Sequence, residues 1–341
     1  MIKMELEDKI KRLKNYLRNK KSVLGFSAGS DSTLIAYILS KVSPDSLLVT
    51  INNNMMSDEF IEYTKKQAAK FNLKHKVINL DFLTDEIFQN NGKERCYECR
   101  KLMYYNIQQL PEFQEYEYFL EGTNITDLLE DRPGILVLDM FNMTSPLVEC
   151  GITKDDVFDM IQYFNLEYSF DTTCLATRIK TNQKVDSERL KMIHDAEAFV
   201  RSNVEQENIR VRFDDFNAMI TVDNPLDILD EELLIKLRNK IQNIGFKKVF
   251  LDITGYEKTK LIESIDDDGD YYYQLPYNID LLKTKEKLES KSYLDGIIKL
   301  EENLYYNDIK IQKNGKISMP PSNEFVNKFN QILGCIKRKD I

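Results

Sequence analysis

Between residues 20 and 120 the apolar positions fall into short runs separated by stretches in which they recur every three or four residues. The runs at 23–26, 47–51, 76–80 and 118–121 read as strands, and the stretches at 33–39, 58–71 and 100–109 as helices. Strands alternating with helices predict crossover units, hence a doubly wound, mainly parallel α/β sheet with helices on both faces. Thr153 followed by Asp156 spells a capping box, and Val157, Met160, Ile161 and Phe164 form the stripe of the helix it opens. The pattern then changes. A helix at 186–201, strands at 209–213 and 218–222, a helix at 231–243 and a strand at 248–253 predict a smaller α+β unit.

The acidic run Asp266–Asp270 reads as a linker. Beyond it, Ile309 and Ile311 face Ile317 and Met319 across Asn314-Gly315, a hairpin signal, and Ser322 stands ready to cap a last helix striped by Phe325, Phe329, Ile332 and Ile336. No internal repeat is present. The expected division is 1–184, 185–260 and an extension at 261–341.

Composition narrows the class. A chain of 341 residues, 42% apolar and 30% charged, is ordinary for a globular protein of two domains or one with an appendage. No apolar run reaches the roughly 18 residues of a membrane span, and residues 1–21 lack the core of a signal peptide. The expected compartment is the cytoplasm. A net charge of −9 weighs against a large nucleic-acid footprint.

Candidate chemistry begins at Ser27-Ala28-Gly29-Ser30-Asp31-Ser32, which joins the first strand to the first helix after it. Small residues leave backbone N–H groups open to an anion, and the helix N-terminus adds partial positive charge. Ser27, Ser30 and Ser32 can add hydroxyls, and Asp31 can hold Mg²⁺ beside the anion. The plainer reading is a serine-rich helix cap. No Gly-Lys-Ser/Thr follows, so this is not a Walker loop. It resembles the SGGxDS loop of the PP-loop ATP pyrophosphatases, with Ala28 in place of the first glycine.

Five cysteines, an odd number, do not suggest a disulfide framework. Cys96 and Cys99 form a Cys-x-x-Cys pair, and Cys174 lies far along the chain in Cys174-Leu175-Ala176-Thr177-Arg178. Three thiolates suit an iron–sulfur cluster with one open iron. Zinc, a redox dithiol and plain structural thiols are the competing readings. Cys150 and Cys335, in apolar surroundings, read as buried structural thiols. Arg210 and Arg212 alternate on a predicted strand, so their guanidinium groups share a face while Ile209, Val211 and Phe213 point inward. Two such forks suit a phosphate dianion; two solvated arginines on an open face is the other reading. Glu197 is a weaker metal-ligand candidate beside its reading as a solvated helix residue.

The phosphate loop, Arg95-Cys96-Tyr97-x-Cys99, Glu121-Gly122-Thr123-Asn124 through Arg132-Pro133-Gly134, Ser145-Pro146-Leu147, the Cys174–Arg178 stretch, Arg210-Val211-Arg212 and Leu251-Asp252-x-x-Gly255-Tyr256 occur in one order. That ordered set, over roughly residues 5–260, resembles the LarE family of ATP-dependent sulfur transferases, which serve synthesis of the nickel-pincer nucleotide. The resemblance implies that ATP with Mg²⁺ adenylylates a carboxylate of pyridinium-3,5-biscarboxylic acid mononucleotide and that sulfur then displaces AMP. It implies nucleotide binding by Ser27–Ser32, Asp127 and Arg132, with Asp31 on Mg²⁺, and phosphate binding by Arg210 and Arg212.

The resemblance implies a sulfur source that is either a sacrificed cysteine at Cys174 or, as in three-cysteine members, a 4Fe-4S cluster held at Cys96, Cys99 and Cys174; the latter is the expectation here. A small-molecule nucleotide substrate, an unidentified sulfide donor and self-association are further implications. Thr126, Asp131, Asp214 and Met219 depart from residues common in the family, which bears on the substrate more than on the ATP chemistry. A tRNA thiolase and a non-catalytic nucleotide or metal sensor are the competing functions.

Overall fold

The computed structural model describes residues 2–57, 59–129, 135, 137–169, 173–256, 264–291 and 293–339. Its first sheet comprises β1 (Ser22–Gly25), β2 (Leu47–Asn52), β3 (Lys74–Asn79), β4 (Tyr118–Leu120) and β5 (Met143–Thr144), all parallel, in the order β3-β2-β1-β4-β5. Alternate residues of each strand enter opposite layers. Leu24, Leu48 and Leu120 pack with the helices Ile2–Leu17, Ser30–Val42 and Lys154–Tyr163. Val23, Leu47 and Phe119 pack on the other face with Tyr104 and Ile107 of the helix Arg95–Gln108. This is the expected α/β architecture. Because β1 is flanked by β2 on one side and β4 on the other, the order in which strands are added to the sheet reverses at β1, while all of them stay parallel. The crevice beyond the carboxyl ends of β1 and β4 is where such sheets bind ligands.

The second sheet holds β6 (Ile209–Asp214), β7 (Asn217–Val222) and β8 (Lys248–Leu251), with β7 central, antiparallel to β6 and parallel to β8. Ile209, Val211 and Phe213 face inward against the helices Ser187–Arg201 and Glu231–Ile244, as their alternation requires.

The third sheet is antiparallel: β9 (Ser264–Ile265), β10 (Tyr271–Gln274), β11 (Ile298–Leu300), β12 (Leu304–Tyr306), β13 (Ile309–Ile311) and β14 (Lys316–Met319), ordered β11-β12-β13-β14-β10-β9. The Asn314-Gly315 hairpin is present, pairing Ile311 with Ile317. The acidic run is not a linker. It turns β9 into β10, with Asp266 accepting the amides of Asp268 and Asp270 and pairing with Lys316 at 2.8 Å. The last helix, Phe325–Leu333, begins later than Ser322, whose hydroxyl accepts the Glu324 amide at 3.1 Å. Its stripe of Phe325, Phe329 and Ile332 packs not only on its own sheet but on Ile125 and Leu129 at the end of β4. One core thus joins the third sheet to the first.

Candidate active site

The loop after β1 is folded around two serine hydroxyls. The Ser27 amide donates to Ser32 Oγ at 3.3 Å, the Gly29 amide to Ser27 Oγ at 3.3 Å, and the two hydroxyls lie 3.2 Å apart. Ala28 is fully buried at φ +57°, a left-handed conformation that favours glycine. The methyl group is thus tolerated where a glycine is usual. No side chain caps the helix Ser30–Val42, whose N-cap is Gly29. The serine-cap reading therefore fails, and among the described residues the first-turn amides have no side-chain acceptor. Gly122, after β4, lies against this turn. A Cβ there would come 3.3 Å from Asp31 Cβ and 3.4 Å from the Ser32 nitrogen.

Asp31 sits in the first turn, where Asn124 Nδ2 donates to its Oδ1 at 2.9 Å. Its other oxygen pairs with Lys154, whose Nζ also donates to Ser30 Oγ at 2.7 Å. Lys154 was missed from sequence because it doubles as the first residue of a well-capped helix. Only the return of that helix to the loop reveals it. Asp127 lies on the same side, accepting the Asn124 amide at 3.0 Å. Arg132 lies outside the described residues.

Cys96 and Cys99 occupy adjacent turns of the helix Arg95–Gln108, and Cys174 precedes a turn at Leu175–Arg178. Arg95 joins the two segments. Its Nη1 donates to the Ala176 carbonyl at 2.8 Å and bonds Asn91, while its Nη2 lies 3.3 Å from Cys96 Sγ. Asn91 Nδ2 adds bonds to the Ile179 and Lys180 carbonyls, and the Leu175 amide reaches the Met55 carbonyl at 2.8 Å.

The far side of that turn is fixed by Arg178, which pairs with Glu197 at 2.8 Å with side-chain exposures of 4% and 3%. Glu197 Oε1 also accepts the Val211 amide at 3.0 Å. Glu197 is therefore neither a metal ligand on the cavity wall nor a solvated helix residue, but half of a buried ion pair.

Cys99 is pushed up to about 12 by burial first, then by Cys174 and Cys96, against Arg95 and Arg100. Cys174 is likewise raised, burial leading. The three sulfurs act on one another, and all three residues line one cavity. Among the described residues, no three His, Cys, Asp or Glu side chains are arranged to hold a single metal ion. Cys150 and Cys335 are buried in the cores, away from this wall.

The cavity measures about 1430 Å³ and is lined by the phosphate loop, Asp127, Lys154 and the three cysteines. Arg212 faces it from β6, donating to Thr221 Oγ1 at 3.0 Å, and Thr221 in turn donates to Asp252 at 3.2 Å. Arg210 shares the strand face, but it is not on the lining, and its Nη1 donates to the Ile209 carbonyl at 2.9 Å. Asp252, Gly255 and Tyr256 add to the wall, as do Val326 and Asn330 of the last helix. Nothing in the sequence marked those last two.

Comparison with protein-family models gives no match. Among individual proteins, the chain is 34% identical over 246 residues to uncharacterized protein MJ0830 of Methanocaldococcus jannaschii, covering 72% of this chain and 94% of that one. It is 27% identical over 262 residues to uncharacterized protein slr1717 of Synechocystis, covering 75% and 97%. Pyridinium-3,5-bisthiocarboxylic acid mononucleotide synthase of Lactiplantibacillus plantarum is 23% identical over 248 residues, covering 71% and 89%. Identical to the first at 34% of the aligned positions across nearly that protein's full length, and aligned over most of the third, the chain belongs to the LarE-like family of PP-loop proteins.

Proposed function

We propose that this chain is an ATP-dependent sulfur transferase that adenylylates a carboxylate of pyridinium-3,5-biscarboxylic acid mononucleotide and replaces AMP with sulfur. One observation carries the reading: a phosphate-type loop, three thiols and an arginine from a separate sheet all line one cavity. The name of the L. plantarum relative supports the acceptor.

Loop amides and serine hydroxyls hold the β- and γ-phosphates, Asp31 takes Mg²⁺, and Lys154 neutralises charge beside it. An acceptor carboxylate oxygen attacks the α-phosphorus, the α–β bond breaks, and pyrophosphate leaves. The acyl carbon of the resulting mixed anhydride is then attacked by sulfur, and AMP departs with the former carboxylate oxygen. Arg212 meets the mononucleotide phosphate, with Arg210 next to it on the strand.

Cys96, Cys99 and Cys174 are three soft donors on one wall of the cavity, a donor set that suits an iron–sulfur cluster. When bound, a 4Fe-4S cluster would supply the sulfur. Burial raises the pKa of Cys99 and of Cys174, so a cation binding there must displace their protons.

The decisive assay mixes anaerobically purified protein with ATP, Mg²⁺ and the dicarboxylate. Formation of AMP and pyrophosphate that depends on the carboxylate is expected; its absence would falsify the adenylylation step. Iron analysis should give close to four irons per chain. Colourless protein after reconstitution, with sulfur mass lost at Cys174 on turnover, would instead make Cys174 the sulfur source.

A further inference from the structure

Arg100 immediately follows Cys99 and lines the same cavity. Its Nη1 is buried and has no hydrogen-bond partner among the described residues. A guanidinium cannot shed its charge, so a buried donor left unpaired costs free energy unless something meets it. The nearby groups do not. Tyr104 acts most strongly on the Arg100 charge, yet no hydrogen bond joins them; Glu121 acts next, and its oxygens accept the Thr123 amide at 3.0 Å, the Thr123 hydroxyl at 2.7 Å and Ser145. Asp127 also acts on that charge, and it accepts the Asn124 amide.

The location narrows the missing partner. On the chain Arg100 is next to a thiol; in space it shares the cavity with the phosphate loop. An oxyanion bonded there would share the cavity with the phosphate loop and the thiols, as an acceptor carboxyl must if it is to react with both nucleotide and sulfur. Resting on the function proposed above, we infer that Arg100 binds the acceptor carboxylate and presents it first to the α-phosphorus and then to sulfur. Attack on phosphorus leaves one carboxyl oxygen as the acyl carbonyl, which the same guanidinium can still polarise as the anhydride opens.

Calorimetry of protein loaded with α,β-methylene-ATP tests this, using nicotinate mononucleotide and nicotinamide mononucleotide as acid and amide probes. Wild type should prefer the acid. Arg100→Ala should weaken the acid by about ten- to hundredfold and leave the amide nearly unchanged, as loss of one charge-assisted bond predicts. Arg100→Lys should recover part of the preference. The affinity for α,β-methylene-ATP should not move, and the partial recovery with Arg100→Lys separates this role from a structural one.

The assignment is overturned if Arg100→Ala keeps the acid preference. It is equally overturned if affinity for the ATP analogue falls by the same factor, since the guanidinium would then serve the α-phosphate. Wild type that binds the ATP analogue but neither mononucleotide removes the acceptor class itself, and this assignment with it.

Discussion

At the scale of single residues, the loop allows two sharp predictions. Lys154 bridges Ser30 and Asp31 from a distant helix. Lys154→Met should weaken binding of an ATP analogue with Mg²⁺ by about tenfold, or ~1.4 kcal/mol, while leaving the fold intact; unchanged affinity by calorimetry would remove Lys154 from the nucleotide site. Ala28 is buried in the left-handed region. Ala28→Gly should therefore change stability by less than about 1 kcal/mol, whereas Ala28→Val adds branching where φ is positive and should lower stability by more than about 2 kcal/mol. Equal melting temperatures for the two variants would contradict this.

Residue identity was legible where chemistry and local pattern coincide. Ser27, Gly29, Ser30, Asp31, Ser32, Asp127 and the three cysteines were singled out from sequence and line the cavity, whereas Ala28, singled out with them, is buried behind it. Glu197 was misread because a glutamate on a predicted helix carries no mark of what packs over it, here Arg178 and the β6 backbone. Arg95 opens the quoted motif and Arg100 directly follows it, yet the cysteines between them drew the reading, and only three-dimensional placement brings out the bonds of Arg95 and the cavity position of Arg100.

Elements carry the next level. The Leu175–Arg178 turn is held on one side by Arg95 and Asn91 and on the other by the Arg178–Glu197 pair, which together place Cys174 near the Cys-x-x-Cys helix. Breaking a buried pair by removing one partner strands the other charge, at a cost of about 3–5 kcal/mol. Arg178→Met should lower stability by that order, while Arg178→Met with Glu197→Met should recover much of it. A double variant no better than the single would show that the pair does not act as a unit.

Regular elements with strong periodicity were read correctly to within a few residues, the capping box of Thr153 and Asp156 included. The two-residue β5 was missed, being too short to show any alternation. The acidic run at 266–270 misled for another reason. Charge density suggested a solvated spacer, but a tight turn also favours aspartates, whose carboxylates accept nearby amides.

For the whole molecule, the third sheet and its helices are bound to the first by more than apolar packing. Glu149 receives Lys287 at 2.7 Å and Lys291 as well, and Tyr277 donates to the Leu128 carbonyl at 2.8 Å. Burial alone would raise the Glu149 pKa, but the two lysines outweigh it and hold it below the usual 4.5. A folded value below the unfolded one means that this stabilisation is complete above the unfolded pKa and is lost as pH falls through the folded one. Limited proteolysis between pH 7 and pH 3 should show the segment 264–339 loosening at the acid end. Lys291→Met should lower stability by about 1–3 kcal/mol and blunt that acid response; an unaltered acid profile would discount the contact. None of this was readable beforehand, because the docking depends on residues more than a hundred positions apart.

Val326 and Asn330 set a timetable for biosynthesis. They follow the phosphate loop by roughly 300 residues, which at about 5–20 residues per second is a delay of some 15–60 s during translation. Through that interval the nascent nucleotide crevice is open on one flank, and the apolar patch at Ile125 and Leu129 awaits its cover. Ribosome-bound chains halted before residue 320 should therefore engage chaperones more strongly than chains released after it.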